Sequence, residues 1–414
     1  MKFGAKASPP KVEAEMPVVP RELHGRRRPR PLSRADGSRL SRWYAEVDRA
    51  LLAMILGLMA IGLLAVAVAS PVGVKVAAAR GQHWGELYYL WRQLFWVTTG
   101  SFIMLWFAMR DKLSIRRIAT WGTVAGIVAL FAVLLVGTEV NGAQRWLGSG
   151  MARLQPSEFL KPMFAVCIAW ILSCRVDDEK MPVFSLTGIM TGLIVMLLML
   201  QPDFGQTVLY VGTWMALVFV AGLPMRMLVT MGVGSLVGMV VTYFTYENAR
   251  NRINAFVLGE GDTHQVTRGL DTLSNSGLIG SGPFTGTAKF HLPEAHTDYI
   301  YSVIGEEFGL IACAAIALLY VALIVRVLQR LREENDQFVI LAGTGLVAQF
   351  GAQAMINIAV NLQLVPSKGM TLPFISYGGS SLWALSIAMG LLLALTRRNP
   401  YRASPLNLPG WTPR

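Results

Sequence analysis

The sequence predicts an all-α, polytopic membrane protein of about ten transmembrane helices, with a long loop between the seventh and the eighth. Three observations carry that expectation. Only 15% of the 414 residues are charged and 53% are hydrophobic, with a mean hydropathy of +0.47, whereas a soluble domain carries about 25% charge. The apolar residues gather in runs of roughly 17–22 with almost no charge, the length that crosses a bilayer as a helix. These runs lack the period-two alternation of a membrane barrel, and helices are the other structure that satisfies its own backbone in lipid. Soluble enzymes, nucleic-acid binders and disulfide scaffolds are thereby excluded. The net charge of +12 does not point to nucleic acid, because 12 of the 37 basic residues lie at positions 1–49.

Residues 1–47 are polar and rich in proline and arginine, and are expected to form a disordered basic tail. No apolar run follows closely on Met1, so no secretory signal peptide is expected. The segment AVAVAS at 65–70 resembles a cleavage site but ends a long apolar run behind the basic tail, so it belongs to an uncleaved first span. The predicted spans are 48–70, 91–109, 118–137, 157–174, 184–200, 204–223, 227–245, 300–325, 338–361 and 378–396. The second carries Arg92, and the fourth carries Glu158 and Lys161. The membrane domain as a whole covers 48–398, with a tail at 399–414. Cys167, Cys174 and Cys313 lie in or beside apolar runs without CxxC spacing, which fits small apolar fillers and neither zinc nor a disulfide framework.

Lysine and arginine set the expected orientation. One set of compartments, comprising both termini and loops 110–117, 175–183, 224–226 and 326–337, holds 26 basic residues; the opposite set holds 9. Without the tail the balance is still 14 to 9, so both termini are expected in the cytoplasm. The outer loops are then 71–90, 138–156, 201–203, 246–299 and 362–377. Loop 246–299 is much longer than ordinary connections, which marks it as functional.

The unusual polar residues converge on that outer side. In NGAQRWLGSGMARLQPSEFLKP (141–162), Glu158 and Lys161 are three apart and share a helix face, as a functional pair or a packing pair. Arg145 is a candidate phosphate grip or a headgroup anchor. In QPDFGQT (201–207), Asp203 is placed to cap the next helix. The segment SGLIGSGPFTGTAKFHLPEAHTDYIYSVIGEEFGL (276–310) has glycines without the GK[ST] of a phosphate loop, so a glycine-rich backbone close to the membrane or a ligand is expected. His296 and Asp298 stand at the mouth of span eight, where capping, catalysis and a weak metal reading compete. Glu306 and Glu307 lie roughly 12–14 Å deeper and need partners; one of them is expected to face Lys161 in a buried polar network. In VPSKGMTLPFISYGGSS (365–381), Pro366, Pro373, Gly378 and Gly379 forbid a continuous helix. Lys368, Ser376, Tyr377, Ser380 and Ser381 there would supply donors to a pyrophosphate or a sugar.

The motifs AQRWLGSGMARLQPSEFLK, QPDFGQT, GLIGSG, LPEAHTDYIYSVIGEEFGL and LPFISYGGSS resemble, in order and spacing, those of the SEDS family (shape, elongation, division and sporulation), from about residue 45 to 398. PSKGMTLPFISYGGSS, with Lys368 and Thr371, and PEAHTD are similar to the cell-division type rather than the elongation type. Tyr299, Tyr301 and Leu154 stand where phenylalanine is usual.

That resemblance implies a peptidoglycan glycosyltransferase, polymerising lipid II into glycan strands at the periplasmic face of the bacterial inner membrane, at the division septum. It implies as partners a class B penicillin-binding protein for crosslinking and other division-complex membrane proteins. The family's essential loop aspartate corresponds to Asp298, and its paired glutamate and lysine to Glu158 and Lys161. Asp298 is then expected to act as general base, with Arg145, Lys368, Arg250 and Arg252 as candidates for holding the pyrophosphate. A divalent cation (Mg or Mn) would share that charge, although no motif in the sequence demands one. A lipid II translocase and an elongation-type polymerase are the alternative readings.

Overall fold

The computed structural model describes residues 39–397, except 80, 141–142, 149–152, 177–179, 246–249, 252–253, 255–263, 275–276, 293 and 367–368. Most of the tail 1–47, Arg252, Lys368 and the tail 399–414 therefore lie outside the described residues. The end of the expected disordered tail is ordered: Arg39–Glu46 is a helix, α1. Its Trp43, with Val47 just beyond, is buried, which stabilises a segment that composition alone reads as coil.

Each of the ten predicted segments is helical. They are α2 (Arg49–Ala79), α3 (Tyr88–Ala108), α4 (Lys112–Val136), α5 (Pro156–Ser173), α6 (Val183–Leu200), α7 (Phe204–Val220) and α8 (Met225–Thr245). After the long loop, which holds a further helix α9 (His264–Ser274), come α10 (Ile300–Leu331), α11 (Gln337–Asn361) and α12 (Gly379–Leu395). Six of these (α2, α4, α6, α8, α10 and α11) are long and apolar enough on their own to cross a membrane, and α7 and α12 are shorter apolar helices. The chain is thus a multi-pass α-helical membrane protein. One local addition to the all-α expectation is an antiparallel hairpin, β1 (Thr138–Val140) with β2 (Ala143–Trp146), extended by a bridge between Leu147 and Leu154. Its signal was in the sequence, an Asn141-Gly142 pair between strand-forming residues.

The helices sort by which faces they bury. Nearly all of α5 and α12 is buried, and α11 is mostly so, because α5 packs between α4 and α11 while α12 packs on α3. Small residues permit this closeness. Gly122 and Gly126, four apart on α4, lie under Met163 and Leu160 of α5, the small-xxx-small device that lets membrane helices approach. The outer helices keep large apolar side chains exposed, among them Trp91, Phe102, Trp121, Ile189 and Phe244, as a lipid-facing surface requires.

Charge gathers the helix ends at one end of the bundle. Asp48 accepts from the N–H groups of Ala50 (3.1 Å) and Leu51 (3.3 Å) at the start of α2, and pairs with Arg326 (2.9 Å) and Arg330 near the end of α10. Burial would raise the Asp48 carboxyl, but its hydrogen bonds to Arg326, Arg330 and Leu51 outweigh that and hold it at about 2. Lys112 meets Asp336 at 2.9 Å, and Arg397 reaches Glu46 (3.8 Å) and the carbonyl of Arg110 (2.6 Å). These are the segments that the lysine and arginine count places in one compartment.

At the other end α10 departs from a plain span. It runs 32 residues, longer than predicted, and is broken at Gly309, whose φ of 84° and ψ of 173° are not helical. The break strands backbone groups, and the glycine-rich segment 277–282 completes them. Ser281 and Gly282 donate to the carbonyls of Glu306 (2.8 Å) and Glu307 (3.0 Å), while Leu310 and Ile311 donate to those of Gly277 (3.2 Å) and Leu278 (3.3 Å). Gly280, at φ 83°, lies against the Glu307 carbonyl with no room for a Cβ.

Candidate active site

The site is built on a polar stripe of α11. Gln353, Asn357 and Asn361 recur every four residues and so share one helix face, spanning about 12 Å. Asn357 and Asn361 each donate to the Asp298 carbonyl at 3.0 Å. Asn357 also donates to the Met370 carbonyl (2.6 Å), and Asn361 accepts from the N–H (3.1 Å) and hydroxyl (2.8 Å) of Ser302 in the first turn of α10. Two irregular segments, 294–299 and 369–378, are thereby held side by side. Ser376 donates to the Thr297 carbonyl (2.6 Å), Tyr377 donates its N–H to the His296 carbonyl (2.9 Å), and Gly369 lies beside the Asp298 carboxylate. Asp298 itself is half-buried.

The same stripe reaches the buried ion pair. Lys161 meets Glu158 at 2.8 Å and donates to Gln353 at 2.8 Å; Glu158 also accepts from Gln206 of α7 at 2.6 Å. Gln353 continues to the Thr371 carbonyl (3.0 Å), and the Thr371 hydroxyl meets that of Ser381 (2.8 Å) in the first turn of α12. Ser380 is buried beside it. Two charges this deep are tolerated because each has a counter-charge and a neutral hydrogen-bond partner, without which their desolvation would cost several kcal/mol each.

Arg145, on β2, is turned toward the connection between α6 and α7. It donates to the carbonyls of Gln201 (3.3 Å) and Pro202 and lies 3.6 Å from Asp203. Asp203 caps α7 at Gln206 N (3.4 Å) and accepts from Gln155 (3.3 Å). Burial pushes the Asp203 carboxyl up, with Arg145 opposing. The sequence leaves Arg145 as a candidate phosphate grip or headgroup anchor; in the structure its donors hold a turn, and Asp203 links that turn to Gln206. Arg250 is exposed and makes no ion pair among the described residues. Arg252 and Lys368 lie outside those residues.

One expectation is overturned. Glu306 and Glu307 are buried, but neither faces Lys161. Glu306 accepts the N–H groups of Ala288 (2.7 Å) and Lys289 (2.8 Å), and Glu307 pairs with the Lys289 ammonium. Lys289 also donates to the Val68 carbonyl (3.2 Å), three residues before Pro71 inside α2. The break at Gly309 explains the difference: it brings loop 277–291 against the two glutamates, where an unbroken helix would have met another span. Sequence reasoning missed Lys289 because its partner is eighteen residues on, a separation that no helix or strand period predicts. It also missed the stripe on α11, whose signal was amides at four-residue spacing in an apolar run.

His296 is buried against Tyr89 (ring centroids 4.4 Å) and Tyr377 (5.6 Å), and burial lowers its imidazole to about 4, so it is neutral at neutral pH. No group of three or more His, Cys, Asp or Glu side chains among the described residues is arranged to hold a metal. That donor set does not fit a protein-caged Mg or Mn.

A family of cell cycle proteins that groups FtsW, RodA and SpoVE matches residues 49–401. The chain is 38% identical to a probable peptidoglycan glycosyltransferase FtsW of Caulobacter vibrioides (strain NA1000 / CB15N), over 89% of this chain and 94% of that one. It is 33% identical to a protein of the same description from Thiomicrospira cyclica (strain DSM 14477 / JCM 11371 / ALM1), over 84% and 91%. Among solved structures, it superposes on a chain of a peptidoglycan synthase complex that coordinates polymerization and crosslinking, with TM-score 0.71, 25% identity and coverage of 84% and 97%. On the rod shape determining protein RodA of Thermus thermophilus the TM-score is 0.63, with 25% identity and coverage of 84% and 96%.

Proposed function

The chain belongs to the FtsW, RodA and SpoVE family of cell cycle proteins, and on that premise we propose that it is a division-type peptidoglycan glycosyltransferase whose general base is Asp298. Its substrate is lipid II, and the reaction occurs at the periplasmic face, with both termini in the cytoplasm and the protein at the septum. The observation that carries the reading is the polar face of α11, on which Asn357 holds the Asp298 and Met370 carbonyls while Gln353 holds Lys161 and the neighbouring Thr371, whose hydroxyl meets Ser381.

The chemistry follows from that arrangement. The 4-hydroxyl of one sugar gives its proton to the Asp298 carboxylate as its oxygen attacks the anomeric carbon of the next. The bond from that carbon to the pyrophosphate oxygen breaks, and undecaprenyl pyrophosphate leaves with the electron pair. A single displacement inverts the anomeric centre, and a positioned base contributes about 10²–10⁴ in rate. Lys368, Arg250, Arg252 and the serine hydroxyls at the start of α12 are the donors for the leaving charge. Arg145 acts through the turn it holds, and the Glu158–Lys161 pair orders the floor beneath Asp298. No step is routed through a metal.

Crosslinking falls in this reading to a class B penicillin-binding protein, the partner suggested by the synthase complex that the fold resembles. Other division-complex membrane proteins would complete the assembly. A translocase would carry its buried charges along a path reaching both faces; here the Asp298 segment and the Glu158–Lys161 pair meet the same polar face of α11, which favours polymerisation. The experiment is lipid II with the purified chain and its partner in detergent, where no transport exists. Glycan polymer supports the polymerase; lipid II left intact opposes it.

A further inference from the structure

The loop that fills the break in α10 also presents the most exposed apolar tip among its neighbours. Leu278 is 67% and Ile279 80% exposed. Their segment, 277–287, contains no charged residue. Four of its backbone groups are met by protein: Ser281 and Gly282 donate to the carbonyls of Glu306 and Glu307, and the carbonyls of Gly277 and Leu278 accept from Leu310 and Ile311. Non-helical backbone at membrane depth needs its polar groups met by protein, and these four bonds supply such partners on both sides of the break.

The depth of the break follows from charge and length. Between Glu307 and Arg326 lie eighteen residues without a charge, which span about 27 Å, close to the hydrocarbon thickness of a bilayer. The break therefore sits at one boundary of the hydrocarbon, and Arg326 and Arg330 at the other. Residues 300–307 above it are buried in protein, while Ile311 (62% exposed), Leu318 (67%) and Val325 below it recur every seven residues on one exposed apolar face. Through the bonds to Gly277 and Leu278, the tip continues that face to the boundary.

We propose that Leu278 and Ile279 form a membrane-docking surface, seated among the acyl chains just below the headgroups in the leaflet on the Asp298 side. The partner is lipid, because the tip prolongs a lipid-facing stripe and its segment carries no charged residue. Docking fixes the height of the segment that leads through Lys289 to Asp298, relative to the lipid surface on which a lipid-linked substrate travels. The proposal rests on the proposed function only where that leaflet is named the outer one; lipid contact is read independently of polymerisation.

The test uses the full chain carrying Cys174→Ser, with Cys167 and Cys313 left buried, in phosphatidylcholine vesicles containing no other protein. An environment-sensitive fluorophore is attached at Ile279→Cys, at Leu278→Cys, and at Asp271→Cys on the exposed face of α9. Emission at 278 and 279 is expected to be blue-shifted, quenched by lipid spin-labelled high on the acyl chain, and insensitive to aqueous iodide, with the reverse at 271. Iodide quenching at 278 and 279 equal to that at 271 overturns the proposal. Shielding of both positions from both quenchers also overturns it, because a second copy of the chain would then cover the tip.

Discussion

Replacing Lys289 by methionine isolates one buried interaction. Methionine keeps most of the apolar stem, and the two hydrogen bonds from Ala288 and Lys289 to Glu306 survive because they come from backbone N–H groups. What is lost is the ammonium that meets Glu307 and the Val68 carbonyl. The Glu307 side chain is 0% exposed, so its carboxylate would stay buried without its counter-charge. Breaking such a pair from one side costs about 3–5 kcal/mol. The expected destabilisation of Lys289→Met is therefore about 3–5 kcal/mol. The double variant Lys289→Met with Glu307→Gln removes the stranded charge and should recover most of the loss. The assay is denaturant unfolding in detergent, followed by helix signal, for both single variants and the double. A Lys289→Met cost below about 1 kcal/mol, the range of an exposed pair, or a double variant no better than the single, refutes the reasoning.

Three further outcomes follow from the same structure. Gly280→Ala places a Cβ 2.5 Å from the Glu307 carbonyl oxygen at a φ of 83°; it should cost at least about 1–2 kcal/mol and expose 277–282 to proteolysis, while Ser281→Ala, which keeps its backbone donor, should not. Asp48 is held at about 2 against an ordinary 3.8. Its stabilising contribution is therefore complete above the ordinary value and is lost as pH falls through about 2; acid unfolding of Asp48→Asn should lack that step. Asn357→Ala removes the donor to the carbonyls of Asp298 and Met370; steady-state polymerisation should show a lower kcat with KM for lipid II little changed.

Much of this architecture was legible in the sequence, because uncharged runs of bilayer length admit few other structures. Glu158 and Lys161 could be paired from spacing alone, since three residues on a helix bring two side chains onto one face. The partners of Glu306 and Glu307 could not. Their position depends on a helix break at Gly309, and a glycine inside an apolar run reads the same whether the helix continues or stops. For the glycines of 277–282 the sequence suggests close approach to the membrane or a ligand; what Gly280 approaches is the backbone of Glu307 and Gly309, set by that same break. Asn357 and Asn361 were hidden because amides carry no charge that demands a partner, although their spacing already placed them on one face. The hairpin at 138–146 was signalled by Asn141-Gly142 and passed over in favour of an outer loop.

The central claim is that Asp298 takes the proton from the attacking hydroxyl. It is tested most directly by the rate of glycan polymerisation from lipid II by Asp298→Asn, in the complex with its transpeptidase partner. Asparagine preserves shape and leaves the backbone carbonyl held by Asn357 and Asn361 in place. The account predicts a rate lower by about 10²–10⁴ with folding and lipid II binding retained. Polymerisation at the native rate would contradict it.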